Sequence, residues 1–226
     1  MLRKTLDRKL QEIREEILLL GSMVEQTTLK TMDALQKRDV EAARLIFLSD
    51  DQINSRRYAI ENAIVIVMAT QQPYAHDLRL LVGMLEINTE LERMGDYSKG
   101  IAKIIMKLGD QEVWIPYEKL SKMADLAVEM LHRSLGAFVA EDINRASTIP
   151  GEDDAVDRIY EEIYHELIDR MISNPEQADL LNYSLWIAHN LERLADRVTN
   201  ICERTVFIAT GETIETASDD DEALLP

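Results

Sequence analysis

The segment Glu92-Arg93-Met94-Gly95-Asp96 returns one hundred residues later as Glu192-Arg193-Leu194-Ala195-Asp196. Its flanks return with it: Ile87, Leu91 and Ile101 are matched by Ile187, Leu191 and Ile201. A near-copy in register makes the chain two versions of one unit, and that limits its architecture before any other property is weighed. The match extends upstream. Asp39, Asp50, Ile53, Asn54 and Met68 pair with Asp142, Asp153, Val156, Asp157 and Met171 at an offset of 103, which falls to 100 by Glu92. The second unit therefore has the shorter turn.

Each unit reads as three helices. Leu6, Leu10, Ile13, Ile17, Leu20 and Val24 recur at spacings of three and four, one apolar stripe on a helix over 3–37 that Gly21 interrupts at small cost. Asp39 is placed to cap a second helix that ends before Pro73, with a core line through Leu45, Ile53, Ile60, Ile64 and Val67. A third helix is expected from Pro73 to Leu108, stopped at Gly109-Asp110. In the second unit a helix is expected over 116–140, a short piece from Asp142 to the break at Pro150-Gly151, a main helix over 153–173, and a last one over 177–209 ended by Gly211. Glycine, proline and aromatic residues are scarce, and no stretch alternates as a strand would. The expectation is all-α: two tandem three-helix bundles, over 1–110 and 116–211, followed by an acidic, disordered tail over 212–226.

The acids of the repeated motif extend apolar lines. Leu81, Leu85 and Asn88 lead to Glu92 and Asp96, and Leu181, Leu185 and Ala188 lead to Glu192 and Asp196. Residues four apart on a helix are surface neighbours, about 5–6 Å apart at Cβ. The preceding helix of each unit carries a second such pair, Asp50 with Asn54 and Asp153 with Asp157. If the helices bring the pairs together, each unit has four oxygen-bearing side chains at one spot. Like charges so close oppose folding unless a cation neutralises them. All-oxygen sets suit magnesium, calcium, manganese or iron, and zinc less readily. The candidate metal ligands are thus Asp50, Asn54, Glu92, Asp96, Asp153, Asp157, Glu192 and Asp196, with Asn200 and Glu203 positioned to extend the second set. The first set contains an amide and should bind more weakly. Read singly, such a pair is more often a solvated face salt-bridged to Arg93 or Arg193; exact repetition and the core line weigh against that.

Acidic residues outnumber basic ones 42 to 25, a net charge of −17, which repels phosphate backbones and excludes nucleic acid as a partner. Cys202 is the one cysteine, so no internal disulfide can form, as in a reducing compartment. The longest apolar run, Ala63 to Ala69, is far below the ~20 residues that span a bilayer. The N-terminus lacks the apolar segment of a signal peptide. A cytoplasmic protein without direct membrane insertion is expected. Long helices with broad apolar faces favour self-association, with a homodimer the expected state.

Leu91-Glu92-Arg93-Met94-Gly95-Asp96 and Leu191-Glu192-Arg193-Leu194-Ala195-Asp196 resemble the paired signature of the PhoU family, as do Gln72-Pro73, Asp77-Leu78-Arg79 and Asn200-Ile201-Cys202-Glu203. The resemblance covers nearly the whole chain outside the tail. It implies two three-helix bundles whose acidic motifs bind iron, zinc or other divalent ions such as magnesium or manganese. It also implies a non-enzymatic negative regulator of the phosphate-starvation response, linking the ATPase of a Pst phosphate transporter to a PhoR-like sensor histidine kinase. The family often has Asn and Glu after the first motif, where this chain has Gly100 and Lys103.

Two rival readings follow from the residues. Glu129/His132 and Glu162/His165 both have the Glu-x-x-His spacing of ferritin-like di-metal carboxylate enzymes, although both lie in the second unit. A metal-free helical adaptor would use the acids as surface charge. No Gly-rich phosphate loop, nucleophile elbow or Cys-x-x-Cys is present; His76 and His189, single and isolated, read as structural rather than catalytic, and Trp114 and Trp186 as packing residues.

Overall fold

A computed structural model describes residues 2–213. The described residues form helices and turns only. Helices α1 (Leu2–Lys37), α2 (Val40–Gln71) and α3 (His76–Leu108) make the first set. Helices α4 (Tyr117–Ala140), α6 (Asp154–Ser173) and α7 (Ala178–Thr210) make the second, with the short α5 (Ile143–Thr148) between α4 and α6. The tail expected over 212–226 lies outside the described residues except at 212 and 213. None of the described helices is long and apolar enough to cross a membrane.

The local signals act as their chemistry requires. All six stripe residues of α1, from Leu6 to Val24, are buried. Asp39 and its counterpart Asp142 each accept a backbone N–H three residues on, from Ala42 at 2.9 Å and Arg145 at 3.1 Å. Gly211 ends α7 at φ +81°, a left-handed position open to glycine without strain. Two expectations are corrected. On α2 the core line passes through Ala43 and Ile46, while Leu45 is 68% exposed. Helix α3 starts at His76 rather than Pro73, because Gln72 turns left-handed at φ +47° and closes α2 first.

The centre of the molecule is the α3–α7 pair. Along α3, contacts to α7 run in reverse order: Arg79 meets Gly211, Glu86 pairs with Arg204, Glu90 with Asn200, Tyr97 with Arg193, and Lys107 with Tyr183. The two helices are therefore antiparallel. The repeat places them about a pseudo-two-fold: Glu90 meets Asn200, and its repeat-mate Asn190 lies beside Gly100. Helices α1 and α2 pack on the α3 side, and α4 and α6 on the α7 side.

A second seam joins α1 to α4. A Cβ on Gly21 would come within 2.3 Å of Leu135 Cδ1, so this glycine is what lets α4 approach. Arg14 and His76 both hold Glu141, at 3.0 and 2.7 Å. Trp114, in the connection between the sets, lies 3.8 Å under the Arg170 guanidinium and accepts from Ser184 through its carbonyl, a packing role.

Candidate metal centres

In the first set, α2 presents Asp50 from its buried line. The residue is 3% exposed, and Asn54 one turn later donates to its Oδ2 at 2.8 Å. From α3, Glu92 and Asp96 face the same region. Burial first, then Asp96 and Asp50, push the Glu92 carboxyl above its ordinary value, against the pull of Arg57. Asp96 is raised by burial and by Asp50, with Lys99 opposing. Lys99 sits among these acids. Its Nζ donates to Asp50 Oδ2 at 2.6 Å and lies 3.9 Å from Asp96 Oδ1.

In the second set, Asp153 stands at the N-terminus of α6 with Asp157 one turn on, and α7 supplies Glu192 and Asp196. The Asp153 carboxyl is pushed up to about 8, by burial first and then by Asp157, Asp196 and Glu192. Its Oδ1 is buried with no hydrogen-bond partner. His189 Nδ1 lies 3.4 Å from Glu192 Oε2, with Tyr160 and Trp186 flanking the ring at centroid distances of 6.2 and 6.4 Å. Burial and Arg193 hold the His189 imidazole below its ordinary pKa, so near neutrality it is neutral and bears a lone pair.

The structure thus groups the predicted residues by set: Asp50, Asn54, Glu92 and Asp96 in one, Asp153, Asp157, Glu192 and Asp196 in the other. Among the described residues, no three His, Cys, Asp or Glu side chains stand in ready metal-holding geometry. Asn200 is held from the other side, its Nδ2 donating to Glu90 at 3.1 Å across the α3–α7 seam, and its amide oxygen is the atom that would extend the second set. Glu203 lies toward Arg204 at 3.9 Å. Two residues escape the sequence reading, Lys99 and His189. Both lie three residues from a motif acid on the same helix, a spacing that pairs side chains.

Donor chemistry separates the two sets. The second offers a neutral imidazole and four carboxylates, one of them with a buried oxygen that has no hydrogen-bond partner, a donor chemistry that fits a divalent cation. The first already holds an ammonium hydrogen-bonded to its most buried acid, and does not fit one as it stands.

The di-metal enzyme alternative is overturned. Glu129, Glu162 and His165 are exposed, and Glu162 pairs with Lys119 at 2.8 Å. His132 is 78% exposed at its side chain and faces Glu25 of α1 at 3.3 Å. The two Glu-x-x-His motifs look outward and share no site.

The profile of the PhoU domain matches this chain twice, over residues 17–105 and 120–205. The chain belongs to the PhoU family. A phosphate-specific transport system accessory protein PhoU homologue of Clostridium acetobutylicum is 34% identical over 216 residues, covering 95% of this chain and 99% of the relative. The crystal structure of the phosphate transport system regulatory protein PhoU from Streptococcus pneumoniae superposes with a TM-score of 0.86 at 34% identity, over 93% of this chain and all of the other. That of PhoU from Pseudomonas aeruginosa gives 0.86 at 28% identity, over 91% and 99%. The two matched PhoU segments each contain one acidic motif, so the internal repeat is a repeat of PhoU domains. The PhoU family is one of transport accessory and regulatory proteins rather than enzymes.

Proposed function

We propose that this protein is a cytoplasmic accessory regulator of a phosphate-specific transport system, and that it represses phosphate-starvation genes by linking the transporter's ATPase to a PhoR-like sensor histidine kinase. The observation that carries this reading is end-to-end agreement with relatives named for that system, with both domains present in one chain. The architecture is consistent with bridging: two similar bundles offer two similar surfaces. Exposed apolar side chains on α2, among them Leu45, Leu48, Val65 and Ile66, provide area for a protein partner or for homodimer formation.

The metal belongs to the second set in this reading. Asp153, Asp157, Glu192 and Asp196 would hold it, with His189 within reach of Glu192 as a nitrogen donor. A divalent ion supplies positive charge to a site where four acids crowd one another. The Asp153 carboxyl must give up its proton first, so binding strengthens as pH rises. The mixed oxygen and nitrogen donors favour iron, zinc or manganese over magnesium. The adaptor reading without metal is separated by elemental analysis of protein purified in the absence of chelator.

The functional test is a deletion strain carrying a phosphate-responsive reporter. Expression in phosphate-rich medium is the expected outcome; a reporter that stays silent there removes the signalling role.

A further inference from the structure

We propose that Lys99 is a built-in cation of the first acid set, so that this chain takes a divalent metal at the second set only. The second half of that statement rests on the reading above; the first half stands on the geometry of Lys99 alone.

The ammonium is enclosed on three sides. Its Nζ lies 2.6 Å from Asp50 Oδ2, 3.9 Å from Asp96 Oδ1 and 5.5 Å from the centroid of the Phe47 ring. Asp50 is 3% exposed, so its carboxylate has little access to water and depends on donors from the protein. Asn54 supplies one and Lys99 the other, both on Oδ2. The ring face adds a cation–π contact to an ammonium that is otherwise partly stripped of water. The position bridges an acid of α2 to an acid of α3, where a dication shared by those helices would have to lie.

Neither the lysine nor the ring recurs in the second set. Thr199 occupies the place of Lys99, and its hydroxyl donates to the Asp196 carbonyl of its own helix at 2.7 Å. Pro150 occupies the place of Phe47. One substitution removes the charge and the other removes the ring that supports it. The two sets therefore differ at one place: the first carries a counter-charge on a covalent tether where the second has the uncharged Thr199.

The test is equilibrium dialysis of chelator-stripped full chain against Mn²⁺, read as metal per chain, with circular dichroism to confirm helix content. The forms compared are the wild type, Lys99→Thr, Lys99→Met and Lys99→Arg, each also with Asp153→Asn and Glu192→Gln. Lys99→Thr and Lys99→Met should gain metal that persists when the second set is disabled. That added binding should be at least about tenfold tighter than any remaining in the disabled protein that keeps Lys99, the scale set by changing a ligand's immediate partner. Adding Asp50→Asn should abolish it, and Lys99→Arg, which keeps the charge, should gain nothing. If the wild type binds Mn²⁺ and the disabled protein that keeps Lys99 binds as much, or if neither uncharged variant gains metal, the inference is overturned. A wild type that binds no Mn²⁺ at the second set, with gain in the disabled Lys99→Thr protein, sinks the metal reading of the second set and leaves the tethered cation standing.

Discussion

The two acid sets occupy equivalent places in equivalent domains, yet only one has a lysine ammonium among its acids. In the first, Asp50 is buried and held by Lys99 and Asn54. In the second, Asp153 is surrounded by acids and its proton is retained to about pH 8. The lesson is that a repeated motif preserves where charges are placed without preserving how they are balanced. The balance is decided one turn away, at position 99 against 199.

The same asymmetry recurs where α3 crosses α7, and the largest expected effect lies there. Glu90 is buried and receives Arg93 at 2.8 Å, Asn200 at 3.1 Å and Arg197 at 3.4 Å. Glu90→Ala would leave the partly buried Arg197 guanidinium and Asn200 without their acid at the α3–α7 seam, and should destabilise by about 2–3 kcal/mol. The mirror substitution, Asn190→Ala, removes a bond to the Trp186 carbonyl on its own helix and an uncharged contact with Gly100, and should stay within about 0.5 kcal/mol. Urea unfolding of both variants checks the pair; equal losses would mean that the two contacts are energetically alike.

The α1–α4 seam allows a second contrast. Gly21→Ala drives a methyl against buried Leu135 and should cost roughly 1–3 kcal/mol. Gly136, the residue after Leu135, is exposed on α4 and has nothing within 4 Å of the place where a methyl would stand. Gly136→Ala should therefore stabilise by about 0.5–1 kcal/mol. Thermal melts of the two variants should move in opposite directions.

A smaller effect should appear as a slope against pH. The folded chain holds the Asp153 proton more tightly than the unfolded chain does. Its stabilising contribution is full below the ordinary aspartate range and is lost as pH rises through about 8. In chelator, the melting temperature should fall between pH 6 and pH 9, and Asp153→Asn should flatten that fall. Asp96→Asn in the lysine-bearing set should flatten it less. An unchanged slope in Asp153→Asn would remove Asp153 as the titrating group.

Much of this can be read from residues alone, for identifiable reasons. The α1 stripe is strictly periodic, and its six positions are all buried. The caps at Asp39 and Asp142 are local chemistry and stand where expected. Leu45 misleads because α2 is apolar on several faces, with Val65 and Ile66 also exposed, so its periodicity does not single out the packed side. The acid sets are legible as pairs four apart, since that spacing is fixed by the helix. Lys99 is not, because its ammonium is placed by a carboxylate on a different helix. The bond from Asn200 to Glu90 is missed for a related reason: the register of α3 against α7 is set by packing between residues far apart in sequence.

The antiparallel crossing of α3 and α7 has the form of an isologous interface, the kind found between identical subunits, enclosed in one polypeptide. In a symmetric pair of separate chains every substitution arrives twice, once at each end of the axis. A lysine entering one acid set would enter the other as well. Joined in tandem, the two ends inherit independently, so one can keep Lys99 and Phe47 while the other keeps Thr199 and Pro150. Covalent linkage thus allows a two-fold scaffold to hold two unlike sites.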